Sequence, residues 1–179
     1  MGKRVSFSGL NMELYEVAQH HSDTENALKA YYSFENQRES LPAKFFSYSA
    51  EEVSIEFRTR IDELERTSSL TLLSSFEAKL RIDYLTRCYQ KRKDDLSKDF
   101  RRIYKQKSHR AFLEEDILET WKQHYPENKL LISELLNALK YRHWLAHGRY
   151  WKPKLGRKYD YSYIYYLIEQ TYQKLPLMN

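Results

Sequence analysis

Between residues 128 and 147, Leu131, Leu135, Ala138, Leu139, Leu145 and Ala146 fall at helical intervals, and Arg142 stands in the same stripe. The period is that of one face of an α-helix, not the alternation of a half-buried strand. Arg142 lies four residues after Ala138, three after Leu139 and three before Leu145, so it faces the core side of its helix. Its guanidinium cannot shed its charge. The fold must therefore offer it a carboxylate, a phosphate or a wet cleft. Asn128 can cap the start of this helix and Gly148 can terminate it. The stretch predicts a helix about 30 Å long at ~1.5 Å rise per residue.

The rest of the chain reads as helices packed around that one. The 179 residues include only four Gly and four Pro, and strand-like alternation is scarce. That length suits one domain with a real core. No repeat, low-complexity tract or boundary divides residues 1–179, which are read as a single domain. Residues 1–10 read as a loose arm or a short extended segment. The pattern is helical from Met12 to Ser40, where Ser22 or Asp23 can cap a second helix after His20 and His21. Leu41-Pro42 disfavours helix, and Ser47 to Ser49 offer caps for a helix from Ala50. Val53, Ile55, Phe57, Ile61 and Leu64 are its core candidates, and Thr67-Ser68-Ser69 marks a short break or a weak spot. A clearer helix over 69–92 carries Leu73, Phe76, Leu80, Tyr84 and Cys88 on one face. Residues 109–125 predict another helix, ended by Pro126, and a Tyr-rich helix over 160–174 follows the basic turn 149–158. The expected fold is an all-α, up-and-down bundle of about five to seven helices.

Charge and composition narrow the partners. Thirty Lys and Arg stand against 25 Asp and Glu, a net +5 that leans weakly toward an anionic partner. The basic run from Arg87 to Arg110 reads first as a solvated helix face, and second as a surface that tracks phosphates. Sixteen Tyr suit core edges, interfaces and nucleic-acid surfaces, because each packs a ring and keeps a hydroxyl. The one cysteine, Cys88, cannot form an internal disulfide, and a reducing cytoplasm is the simplest compartment. No apolar run follows Lys3 and Arg4, so no signal peptide is expected, and no stretch approaches the length of a membrane span.

The chemistry-bearing residues gather near the end of the motif helix. Glu77 has Leu70 and Leu73 before it and Leu80 and Tyr84 after it, at stripe spacings, so it too is a charge on an apolar face. It is the best intrachain partner for Arg142, either as an architectural ion pair or as the group that orients Arg142 in a cleft. His147, just before Gly148, is the natural proton-transfer group, with an ordinary pKa of ~6.5. A helix-end histidine is also a common capping residue. Positions five apart on an ideal helix differ in direction by about 140°. Arg142 and His147 therefore do not meet within one straight helix, unless the last turn distorts or a second copy completes the site. His143 and His147 are spaced to share a zinc ion, but Trp144 stands where a catalytic glutamate is needed and no third ligand is convincing. Gly-rich phosphate loops and serine-nucleophile elbows are absent.

Arg142 and His147, in the run RHWLAHG, resemble the R-x(4–6)-H signature of the HEPN superfamily of all-helical domains. His143 falls where the family often has a polar residue, and SSFEAKLRIDYL looks like the earlier family helix that often bears a supporting acid, matching Glu77. Arg102 and His109 also satisfy the loose signature, but in a polar run without an apolar stripe. The resemblance implies a metal-independent endoribonuclease without cofactor, of a toxin–antitoxin or phage-defence system. Arg142 and His147 would be catalytic, with Glu77 and His143 in support. It also implies a homodimer with both motifs on one groove, and a cognate antitoxin or defence partner protein. Arg149, Tyr150, Lys152, Lys154, Arg157 and Lys158 are the expected RNA-binding residues, and Tyr150 and Trp151 can stack on bases. A family tyrosine that partner enzymes modify lies two residues after the histidine, where this chain has Arg149, which puts that regulation in doubt. The alternative is a non-catalytic helical module that binds RNA or a protein.

Overall fold

The computed structural model describes residues 4–33 and 42–178. Among them there is no strand. Six α-helices form an all-α bundle: α1 (Leu14–Tyr32), α2 (Ala50–Tyr89), α3 (Asp95–Lys107), α4 (Glu119–His124), α5 (Lys129–Ala146) and α6 (Tyr161–Lys174). One hydrophobic core draws on every helix, through Val17, Leu73, Phe100, Trp121, Leu135 and Ile164 among others. No helix among the described residues is long and apolar enough to cross a membrane.

The long α2 is the axis of the bundle. A reciprocal cap starts it: the Glu52 N–H donates to Ser49 Oγ, and the Ser49 N–H donates to the Glu52 carboxylate at 2.7 Å. It then runs for 40 residues without a break. The interruption expected at Thr67-Ser68-Ser69 does not occur. The Thr67 and Ser69 hydroxyls donate back to carbonyls of the preceding turn, at 3.0 Å to Glu63 and 2.7 Å to Glu65, and Ser68 and Ser69 are buried. The two helices expected on either side are thus one. Likewise α1 runs straight through Ser22 and Asp23, capped instead by Glu13 with Glu16. The part of that expected helix beyond Ser33 lies outside the described residues, as does Leu41. Val53 and Leu64 are buried as expected, but Ile55 is on the outer face of α2 and exposed.

Three further expectations need correction. Of the two readings of the N-terminal arm, the loose one fails, because the arm is docked: Phe7 stacks on Tyr89, the Val5 N–H donates to the Tyr89 hydroxyl at 3.0 Å, and Arg4 donates to the Tyr89 carbonyl. The single helix expected over 109–125 is a 3-10 turn (Ser108–Arg110), then a π-helical turn (Leu113–Leu118), then the short α4. Asp116 sets that start, because its carboxylate accepts the Phe112 N–H at 2.7 Å and the Lys107 ammonium at 2.7 Å. The wider turn lets Leu113, Ile117 and Leu118 all reach the core. Finally, Arg87 belongs to no solvated face. It is buried against Asp83 at 2.8 Å, donates to the Pro176 carbonyl at 2.5 Å and lies over the Trp121 ring. Asp83 also accepts the Met178 N–H at 2.8 Å, so the C-terminal segment is tied to α2.

Candidate functional site

The motif helix forms as its pattern requires, over Lys129–Ala146. Ile132, Leu135, Ala138, Leu139, Tyr141 and Leu145 are buried, whereas Ala146 is exposed at the end of the stripe. Asn128 makes no side-chain cap, because it ends a 3-10 turn and its amide reaches toward the Lys174 carbonyl at 3.5 Å.

Arg142 is where its place in the stripe puts it: its side chain is 34% exposed, and its Nη2 lies 3.1 Å from Glu77 Oε2 on α2, whose side chain is 17% exposed. Glu77 Oε1 accepts a hydrogen bond from Arg81 Nε at 2.9 Å, and Arg81 Nη1 donates to the Ala111 carbonyl at 3.0 Å. One carboxylate thus bridges two guanidinium groups, and the trio keeps a net positive charge. Arg142 Nε is buried with no hydrogen-bond partner.

This trio lines a cleft of about 600 Å³. His143 and Trp144 of α5 also line it, with Trp151, Pro153, Lys154 and Leu155 of the following loop. The opposite wall is the π-helical turn, with Phe112, Glu114 and Glu115. His147 is not part of this lining. It follows the last helical residue, is exposed, and packs its ring on that of His143 at 4.1 Å between centroids. The structure therefore brings Arg142, Glu77 and His143 together and leaves His147 outside the lining, against His143.

The position of His147 is fixed by the helix stop. The His147 N–H donates to the His143 carbonyl at 3.1 Å, and the Arg149 N–H donates to the Trp144 carbonyl at 3.2 Å. Gly148 takes the left-handed conformation this closure needs, with φ 77°. Arg149 is left-handed as well, with φ 58°, and its guanidinium grips Glu63 of α2 with two bonds of 2.6 and 3.1 Å. That pairing holds the Glu63 carboxyl below its usual range. The Trp144 indole N–H donates to the Trp151 carbonyl at 2.6 Å and ties down the next stretch.

The expected RNA-binding residues are divided by this geometry. Lys154 lines the cleft, Lys152 and Lys158 are exposed, and Tyr150 is 85% exposed. Arg149 is committed to Glu63. Arg157 lies on the Tyr163 ring, 3.7 Å from its centre, with Glu134 at 3.8 Å. Sequence reasoning missed Arg81, which the i, i+4 spacing from Glu77 could have flagged. It also missed the role of the π-helical turn, for which the sequence has no plain signal. Among the described residues, no group of three or more His, Cys, Asp or Glu is placed to hold a metal ion.

No protein-family model, curated protein or solved structure matches the chain.

Proposed function

We propose that this chain is an endoribonuclease of the HEPN type, acting in a toxin–antitoxin or phage-defence setting. The observation that carries the reading is Arg142, held by Glu77 in a polar cleft beside His143, with His147 one turn beyond. His147 removes the proton of an RNA 2′-hydroxyl, and the 2′-oxygen attacks the adjacent phosphorus. The bond from phosphorus to the 5′-oxygen breaks, and the leaving oxygen takes up a proton. The products are a 2′,3′-cyclic phosphate and a 5′-hydroxyl. Arg142 stabilises the charge that builds on the non-bridging oxygens, with N–H groups that Glu77 leaves free. Because His147 stands outside the cleft of its own protomer, the working site pairs it with Arg142 of a second copy, in a homodimer with the motifs facing one groove. An antitoxin or defence partner would then act by covering that groove.

A second reading has one observation in its favour. The same separation of His147 from the cleft suits a non-catalytic module that binds RNA or protein through Arg142 and the loop that follows α5. The two readings part in one experiment. Purified wild type, Arg142→Ala and His147→Ala are incubated with total RNA in EDTA, and the new ends are mapped. The nuclease reading expects cyclic-phosphate ends from wild type alone, with all three proteins giving the same circular dichroism. Cutting of a substrate whose every 2′-hydroxyl is replaced by hydrogen would sink the mechanism, and intact RNA with wild type favours the module.

A further inference from the structure

The cleft at Arg142 has two chemically opposed walls. On one, Arg142, Arg81 and Lys154 present cations suited to a phosphate. On the other, Glu114 and Glu115 are exposed, with Lys140 also in the lining, and neither carboxylate has a hydrogen bond or ion pair among the described residues. Two free carboxylates repel a polyanion that runs across them. They fit a ligand only where it turns hydrogen-bond donors toward them. Phe112 stands beside them, 58% exposed with the Lys107 ammonium over one face of its ring, and Trp151 is also in the lining, so flat apolar surface is at hand. A nucleotide unites these demands: an anion at one end, a stacking face, and base N–H donors at the other. The cleft volume of about 600 Å³ suits one such group.

We infer that the cleft takes one unstacked guanine, which Glu114 or Glu115 reads through its adjacent N–H donors while Phe112 or Trp151 stacks on its ring. This rests on the nuclease reading and names its specificity. A carboxylate only accepts. Guanine offers N1–H and an N2 amine side by side, so one carboxylate takes both. Adenine and cytosine place an acceptor nitrogen next to their single amine, and uracil flanks its one N–H with carbonyl oxygens. Both of these arrangements set a lone pair against the carboxylate.

The test is calorimetric titration of the full chain with 3′-GMP, 3′-AMP, 3′-CMP, 3′-UMP and 3′-IMP, in EDTA and without any cleavage. Wild type should bind GMP at least about tenfold more tightly than the other four, since IMP lacks the 2-amine and a good bidentate base contact discriminates on that scale. Glu114→Gln or Glu115→Gln should erase the preference while weak nucleotide binding persists. Equal binding of all five, a preference untouched by both substitutions, or no binding overturns the proposal. Because RNA cutting is not the readout, a chain that prefers GMP but leaves RNA intact refutes the nuclease and keeps the guanine site.

Discussion

The bridge from Arg142 through Glu77 to Arg81 can be weighed by a double-mutant cycle. Replacing Glu77 by Gln keeps the shape but removes the charge that holds two guanidinium groups together. At ~4 Å and an effective dielectric constant of ~20, the attraction of one pair is ~4 kcal/mol before desolvation. Both arginine side chains are about one-third exposed, so solvent screens most of that. The half-buried ion pair at 3.1 Å then leaves a coupling of about 1 kcal/mol between Glu77 and Arg142. The single Glu77→Gln change should cost more, about 1–3 kcal/mol, because it leaves two like charges facing each other over a half-buried gap. For a chain of this length that lowers Tm by about 2–4 °C per kcal/mol. Urea unfolding of wild type, Glu77→Gln, Arg142→Gln and the double variant, followed by circular dichroism, measures the coupling. Within about 0.5 kcal/mol of zero, the four proteins would be additive and the pair would contribute no net energy. The account of Arg142 as a residue held by Glu77 would then fail.

Further predictions come from other parts of the fold. Burial pushes the Asp83 carboxyl above its ordinary range despite Arg87 and the Met178 N–H, so the folded protein holds that proton more tightly than the unfolded chain. The stability of wild type relative to Asp83→Asn should therefore fall as pH rises from 4 toward 7, measured by urea unfolding at each pH; a rise would show that Arg87 outweighs burial. Cys88 is buried, and burial lifts its thiol to about 12. A disulfide reagent at pH 8 should modify it only in denaturant, and rapid labelling of the native protein would contradict this placement. Ser49→Ala removes the side-chain half of the α2 cap and should cost about 1 kcal/mol, read as a lower urea midpoint. A mixture of Arg142→Ala and His147→Ala proteins, each inactive alone, should recover about a quarter of wild-type RNA cutting if each site combines two copies, since random pairing makes half the dimers mixed. No recovery in verified mixed dimers would place both groups in one protomer.

The legible parts of this fold were those where one physical signal dominates. The apolar stripe with Arg142 in it gave the extent of α5 and the side on which its charge lies, because burying an arginine leaves few options. Glu77 was readable for the same reason, as a second charge on an apolar face. Gly148 was readable because a left-handed helix stop favours glycine. Local hydroxyls misled: Thr67, Ser68 and Ser69 look like a break, yet Thr67 and Ser69 bond to the preceding turn, Ser68 pairs with His21 of α1, and packing carries α2 through. The π-helical turn was invisible because Asp116 carries no mark of its role: only in the fold is its carboxylate shared by the Lys107 ammonium and the Phe112 N–H. Arg87 was hidden in a basic run: its spacing of four from Asp83 was readable, but its burial against Trp121 and its bond to the Pro176 carbonyl come only with tertiary structure.

The same α2 carboxylates that explain the stability of the site also keep its two signature residues apart. Glu77 holds Arg142 and Glu63 holds Arg149, so rising number on α5 meets falling number on α2, and the two helices run antiparallel. These two clips are about 21 Å apart along α2. His147 lies between them, in a turn closed by the Arg149–Trp144 backbone bond and by Gly148. To swing His147 into the cleft beside Arg142, the turn that closes α5 must open. Opening it breaks that backbone bond and pulls Arg149 from a bidentate grip. Supplying a histidine from a facing copy breaks neither contact. It also leaves His147 exposed, with its ring steadied by His143. Under the proposed nuclease reading, the composite site is therefore the less costly way for this chain to bring an arginine and a histidine to one phosphate.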